Sequence, residues 1–200
     1  MNSNDSHHCN AGTHPGAPAG ITALTLGPVL LYGCALPDAP TRREAERAAV
    51  ERLLAAALPG GYHLTHNADG APVLEGGPHI SISHSRTHAV VALCAEAPVG
   101  VDIETPRAQL ARVAPRVLSA QEVEAYGATT EGLLQAWTLK EAIYKAALTP
   151  GLDFRRDIRL PLGPKKNEAA IATAAGACMQ FSVLACCPWA DGALALVRKS

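Results

Sequence analysis

The sequence predicts an α+β chain of two similar lobes. A helical segment followed by short extended segments occurs once before Ala97-Pro98 and once after it, and short polar or Pro-bearing turns join the extended pieces as they do in antiparallel sheets. The boundaries implied are a tail over residues 1–20, an N-terminal lobe over 21–98 and a C-terminal lobe over 99–200. At 200 residues and 48% hydrophobic content the chain can bury a sizeable core.

Residues 1–20, rich in Asn, Ser, His, Gly, Ala and Pro, show no periodicity and read as a mobile tail. His7, His8, Cys9 and His14 are metal-ligand types there, without a zinc spacing. The apolar run from Ile21 to Leu36 is broken by Gly27, Pro28 and Gly33, so it reads as one or two strands and not as a membrane span. Thr41 with Glu44 forms a capping box that opens a helix to about Leu58, where Pro59-Gly60-Gly61 stops it. Arg42, Arg43, Arg47 and Arg52 mark its solvated side, from which one or two can reach a phosphate.

His79 to His84 alternates strictly, Ala89 to Ala95 is continuously apolar and Val99 to Glu104 alternates again, so an antiparallel meander is expected. A partly helical linker leads to Ser119-Ala120-Gln121-Glu122, a second capping box, and a short helix to Tyr126. A longer helix is expected over about Glu131 to Leu148, then strands near Ile158–Leu160, Ala169–Ala174, Met179–Cys186 and Ala193–Arg198.

Charge excludes some functions. Lys plus Arg number 17 against 18 acidic residues, which leaves no footprint for nucleic acid, so an anionic ligand must be met by a local cluster. The six cysteines have no C-x-x-C pairing and read as reduced core thiols of a cytoplasmic protein. The N-terminus lacks a signal-peptide flank, and no membrane association is expected.

The chemistry gathers on Gly100-Val101-Asp102-Ile103-Glu104. In an extended strand Val101 and Ile103 share one face and Asp102 and Glu104 the other, with Cα atoms roughly 7 Å apart. Their repulsion, about 2 kcal/mol at an effective dielectric near 20, would be relieved by a divalent cation, although a solvated edge strand would carry the same pattern. On the long helix Leu133, Leu134, Trp137, Glu141, Tyr144 and Leu148 share a face, with Lys140 and Lys145 at its margins. A carboxylate within an apolar stripe calls for a cationic partner, and an i, i+4 pair with Lys145 is too weak to offset real burial. Glu141 brought to Asp102 and Glu104 would make an oxygen-rich site suited to Mg2+.

The segments I-S-I-S-H-S (Ile80–Ser85), G-V-D-I-E (Gly100–Glu104) and W-T-L-K-E-A-I-Y-K (Trp137–Lys145), with R-V-L-S-A-Q-E (Arg116–Glu122) between, resemble the motif set of the 4′-phosphopantetheinyl transferases, specifically the longer surfactin-synthetase-activating type. The resemblance spans roughly Gly70 to Gly151. It implies a pseudo-dimeric α+β fold in which each lobe packs a helix on an antiparallel sheet, with coenzyme A and Mg2+ between the lobes. It implies transfer of 4′-phosphopantetheine from coenzyme A to a serine of an apo acyl or peptidyl carrier protein, by a monomer. By motif match Asp102, Glu104 and Glu141 hold the metal, His84 donates to the pyrophosphate, Ser83 sits near the ribose phosphate and Lys145 neutralises phosphate charge. Glu141 is the best-placed base, and Lys140 and Trp137 position and pack.

Two features depart from the family. Gly70-Ala71-Pro72 has Ala71 where a basic residue often grips the ribose phosphate, and the usual N-terminal lysines are missing, so either Arg43, Arg47 or Arg86 supplies the contact or coenzyme A binds more weakly. Arg107, Arg112 and Arg116 follow the acidic strand and suit an acidic helix of the carrier. A magnesium-dependent phosphohydrolase acting on coenzyme A-like substrates, and a non-catalytic coenzyme A or carrier-binding protein, are the competing readings.

Overall fold

The computed structural model describes residues 12–13, 17–162 and 170–200. The His7, His8, Cys9 and His14 group lies outside them. Gly12–Thr13 (β1) pairs antiparallel with Thr22–Leu26 (β2), so the segment expected to be a mobile tail contributes a short edge strand.

The Ile21–Leu36 run folds as β2 and Val29–Ala35 (β3), turned at Gly27, whose φ of +58° suits glycine. Thr41 caps helix α1 (Arg42–Ala57) through the predicted capping box with Glu44. A two-stranded ribbon, Leu64–His66 (β4) with Pro72–Leu74 (β5), precedes His79–His84 (β6) and His88–Cys94 (β7). Val99–Glu104 (β8) is followed by three helices, Leu110–Val117 (α2), Ala120–Tyr126 (α3) and Thr130–Ala147 (α4). Ile158–Arg159 (β9), Ala170–Ala174 (β10), Ala177–Trp189 (β11) and Gly192–Lys199 (β12) complete the chain.

Two antiparallel five-stranded sheets result, ordered β1-β2-β3-β7-β6 and β8-β12-β11-β10-β9. The expected β6-β7-β8 meander is therefore corrected. Both edges of β7 are occupied, by β3 and β6, so β8 has no free ladder there and becomes the edge of the second sheet against β12. That pairing joins residues about ninety apart in sequence, beyond the reach of local turn signals.

Alternation along the strands sorts side chains into three cores among the described residues. Ala49, Leu53 and Leu54 of α1 pack on Tyr32, Val91 and Leu93 of the first sheet. Leu139, Ile143 and Ala146 of α4 pack on Ala193, Ala195 and Val197 of the second. Between the sheets, Leu31, Val90 and Ala92 meet Val101, Ile103, Leu194 and Leu196. The order is thus helix, sheet, sheet, helix, with β6 and β8 side by side where the sheets meet.

Because Val99, Val101 and Ile103 face the inter-sheet core, Gly100, Asp102 and Glu104 share the opposite face. A Cβ on Gly100 would lie 1.9 Å from Ala142 O and 2.8 Å from Ala146 N, so glycine lets the backbone of α4 settle directly on β8. Ala136, Ala142, Ala146 and Ala147 keep that helix face thin, and all are buried. The expected apolar stripe is thereby rotated: Trp137, Glu141 and Tyr144 are only partly buried and Leu148 is 51% exposed, while Leu139, Lys140 and Ile143 are fully buried. Close backbone approach uses the small residues, and the larger ones are left to line cavities. Since rotamer changes cannot relieve a clash with backbone, Gly100→Ala is expected to cost about 3 kcal/mol, read as a lower urea midpoint at unchanged m.

Candidate active site

Strands β6 and β8 lie beside each other without a backbone ladder, and serine hydroxyls bridge them. Val101 N–H donates to Ser81 Oγ at 3.0 Å and Ile103 N–H to Ser83 Oγ at 3.2 Å, at a constant offset of 20 residues, so the strands run parallel. Ser83 Oγ in turn donates to Asp102 Oδ1 at 2.7 Å. From α4, the Lys145 ammonium uses its three donors on Asp102 Oδ1 (2.7 Å), Val101 O (3.1 Å) and Ile82 O (3.3 Å), clamping both strands at once. Ser81 escaped the sequence reading; its signal was a pair of hydroxyls at i, i+2 on a strand buried enough to require partners.

Three carboxylates share this seam. Asp102 is buried, and its Oδ2 has no hydrogen-bond partner among the described residues. Burial, then the charge of Asp102, raise the Glu104 carboxyl above the ordinary range, opposed by Arg107, whose Nη2 lies 2.5 Å from Glu104 Oε2. Burial, then Asp102, push Glu141 up to about 7, with Lys145 opposing and Glu104 adding to the rise. The expected cationic partner of Glu141 is not realised: among the described residues it has no ion pair, because Lys145 turns to Asp102. The charge of Asp102 thus reaches both glutamates, yet among the described residues no three carboxylate, imidazole or thiol groups are gathered into a metal-holding cluster.

Two cavities flank Glu141 along the partly exposed face of α4. Glu104, Arg107, Leu134 and Trp137 border one of about 280 Å³. Tyr144, Lys145 and Leu148 border another of about 310 Å³, which the Gly70-Ala71-Pro72 turn closes from the far side. A third, of about 690 Å³, lies between α1 and the β4–β6 region and is lined by Arg43, Arg47, His63, His66 and His84. Glu46 and Glu51 line it too, one acid for each arginine.

The other predicted residues separate by position. His84 Nδ1 stands 3.6 Å from Glu46 Oε1 at the mouth of the third cavity. Arg47 is paired with Glu51 at 2.9 Å. Arg86 borders none of these cavities and faces Asp191 at 3.9 Å. Ser83 is buried, donating to Asp102 and accepting from Ile103. Lys140 is fully buried, 2.9 Å from Glu122 Oε2, and donates to Phe154 O and Ile158 O at 2.6 and 2.8 Å. It ties α4 to α3 and to the β9 segment; burial lowers its pKa, with Glu122 opposing. Glu122 does three jobs, since its carboxylate also accepts from Ser119 N in the capping box and from Leu160 N at 3.0 Å.

A family model, that of the 4′-phosphopantetheinyl transferase superfamily, matches residues 98–197, half of the chain. The chain belongs to the 4′-phosphopantetheinyl transferase superfamily. The match takes in β8, α4 and β12, and with them Asp102, Glu104, Glu141 and Lys145, while I-S-I-S-H-S lies before it. Among curated proteins none matches. The mixed architecture of helices on antiparallel sheets is that of a phosphopantetheinyl transferase, and phosphopantetheine transfer, with coenzyme A and a carrier protein as its general partners, is the activity of the superfamily. Among the described residues no helix is long and apolar enough to cross a membrane.

Because folding raises the Glu141 pKa to about 7, the native state binds that proton more tightly than the unfolded chain does. The associated stability is complete below the ordinary carboxylate range and is lost as pH rises through about 7. Glu141→Gln removes the titration. In metal-free buffer the variant is expected to melt several degrees above wild type at about pH 8, with the gap closing by about pH 4, as followed by circular dichroism.

Proposed function

We propose that this transferase moves 4′-phosphopantetheine from coenzyme A to a serine of an apo acyl or peptidyl carrier protein, in a magnesium-dependent reaction of the surfactin-synthetase-activating type. The reading includes lobes over residues 21–98 and 99–200 and action as a cytoplasmic monomer. The observation that supports it most is the placing of Asp102, Glu104 and Glu141 with Lys145 along one seam, where the charge of Asp102 adds to burial in raising both glutamates.

Hard carboxylate oxygens and the unpartnered Asp102 Oδ2 fit a magnesium ion, which Asp102, Glu104 and Glu141 would hold together with the pyrophosphate of coenzyme A. Bound there, the ion supplies positive charge against the phosphates. Lys145 balances charge on the departing adenosine 3′,5′-bisphosphate, exchanging its longest bond, to Ile82 O, for a phosphate oxygen. His84 donates to the pyrophosphate, and Arg43 and Arg47 receive the ribose phosphate in the cavity beside α1, in place of the contact absent at Ala71.

Glu141, partly buried on α4 between the two flanking cavities, would take the proton of the carrier serine directly or through a water. The serine oxygen bonds to the β-phosphorus as the bond to the bisphosphate breaks. Arg112 and Arg116, with Arg107 beside Glu104, offer an acidic carrier helix a basic dock.

The test is to incubate the protein with coenzyme A, magnesium and an apo carrier, and to weigh the carrier. Wild type is expected to add one phosphopantetheine group, with Glu141→Gln slower by about 10²- to 10⁴-fold. Release of phosphopantetheine with an unmodified carrier would instead indicate hydrolysis and contradict the reading. Titration of coenzyme A into Arg47→Ala is expected to show affinity weakened by roughly tenfold, the loss of one charged contact.

A further inference from the structure

The loop Ser85–Thr87 follows His84 directly and is tied from two sides. From α1, Arg42 donates to Ser85 O at 3.0 Å. From the second sheet, Asp191 Oδ1 accepts from Thr87 Oγ1 at 2.8 Å, and Asp191 Oδ2 faces Arg86 Nη2 at 3.9 Å. The single proton of the Thr87 hydroxyl is used on Asp191, so His88 Nδ1, 2.9 Å from Thr87 Oγ1, is the donor in that contact.

Asp191 occupies the tight turn between β11 and β12, next to an Ala190 in left-handed conformation at φ +50°. The turn is anchored. Trp189 meets His88 edge-on with ring centroids 5.3 Å apart, and its ring covers Gly33, where a Cβ would lie 2.8 Å away. On the other flank Ala193 pairs with Glu104, which places Asp191 two residues from the position opposite a member of the acidic trio. The serine bridges lie further back along the strands, so the Asp191 contacts link the sheets at the end where His84 and Glu104 emerge.

We propose that Asp191 is a positioning residue for the phosphate-donor site: by holding Thr87 and Arg86 from the second sheet, it fixes where His84 stands relative to Asp102, Glu104 and Glu141. The inference rests on the coenzyme A reading above. An aspartate suits the task, since one oxygen accepts from a hydroxyl while the other faces a guanidinium. A partly exposed link of this kind adds little to global stability, so its effect falls on the geometry of the loop.

Titration of coenzyme A into the full chain, with KM and kcat for carrier modification, tests it. Asp191→Ala and Thr87→Val are each expected to raise the Kd and KM for coenzyme A by about three- to tenfold, with kcat within about twofold because Lys145 and the carboxylates are untouched. Thr87→Ser and Asp191→Asn, which preserve the hydroxyl-to-oxygen bond, are expected to recover most of the affinity, and the double variant Thr87→Val/Asp191→Ala to be no weaker than either single one. Wild-type affinity in both single variants, or losses that add in the double, would overturn the inference. Failure of wild type itself to bind coenzyme A would overturn the functional reading beneath it.

Discussion

The contact of Lys145 with Asp102 holds the site together, because it is made where two sheets meet without a shared ladder. An edge strand beside another edge strand leaves backbone groups unpaired, and here Ser81 and Ser83 accept from the N–H groups of β8 while Lys145 donates to carbonyls of both strands. The same ammonium partners a buried carboxylate. Removing it would leave Asp102 charged and uncompensated, a situation that costs about 3–5 kcal/mol in buried pairs. Structure and chemistry are therefore coupled: the groups that join the sheets are the groups that set the field felt by Glu104 and Glu141.

The two lysines of the K-E-A-I-Y-K segment divide the work by burial. Lys140 is wholly enclosed, satisfied by Glu122 and two carbonyls, and serves the packing of α4. Lys145 keeps 29% exposure at the cavity wall, so its charge remains available to a ligand. Between them Glu141 has no ion pair among the described residues, and burial with the charge of Asp102 pushes its carboxyl up to about 7. Gly100 contributes by absence: without a Cβ it brings the helix backbone against the strand that carries Asp102 and Glu104.

Local patterns exposed much of this in the sequence. Period-two alternation placed Asp102 and Glu104 on one face, and the capping boxes at Thr41 and Ser119 marked helix starts that the structure keeps. Non-local facts were hidden. Nothing near β8 signals that it pairs with β12, and helical periodicity alone put Glu141 in an apolar stripe because it does not show that the face lined with alanines is the one that packs deepest. The partner of Lys140 was equally out of reach, since Glu122 already had a role as a cap and the ion pair appears only when α3 is laid across α4. The inter-strand role of Ser83, whose proton goes to Asp102 and whose oxygen accepts from Ile103 N–H, was likewise invisible in the motif.

If the seam is a transfer centre, its three acids must act on one cation. Manganese titration monitored by electron paramagnetic resonance, with coenzyme A present, addresses this most directly. The account predicts one tightly bound ion per wild-type chain and its loss in Asp102→Asn; an equal ion count and affinity in both proteins would contradict it.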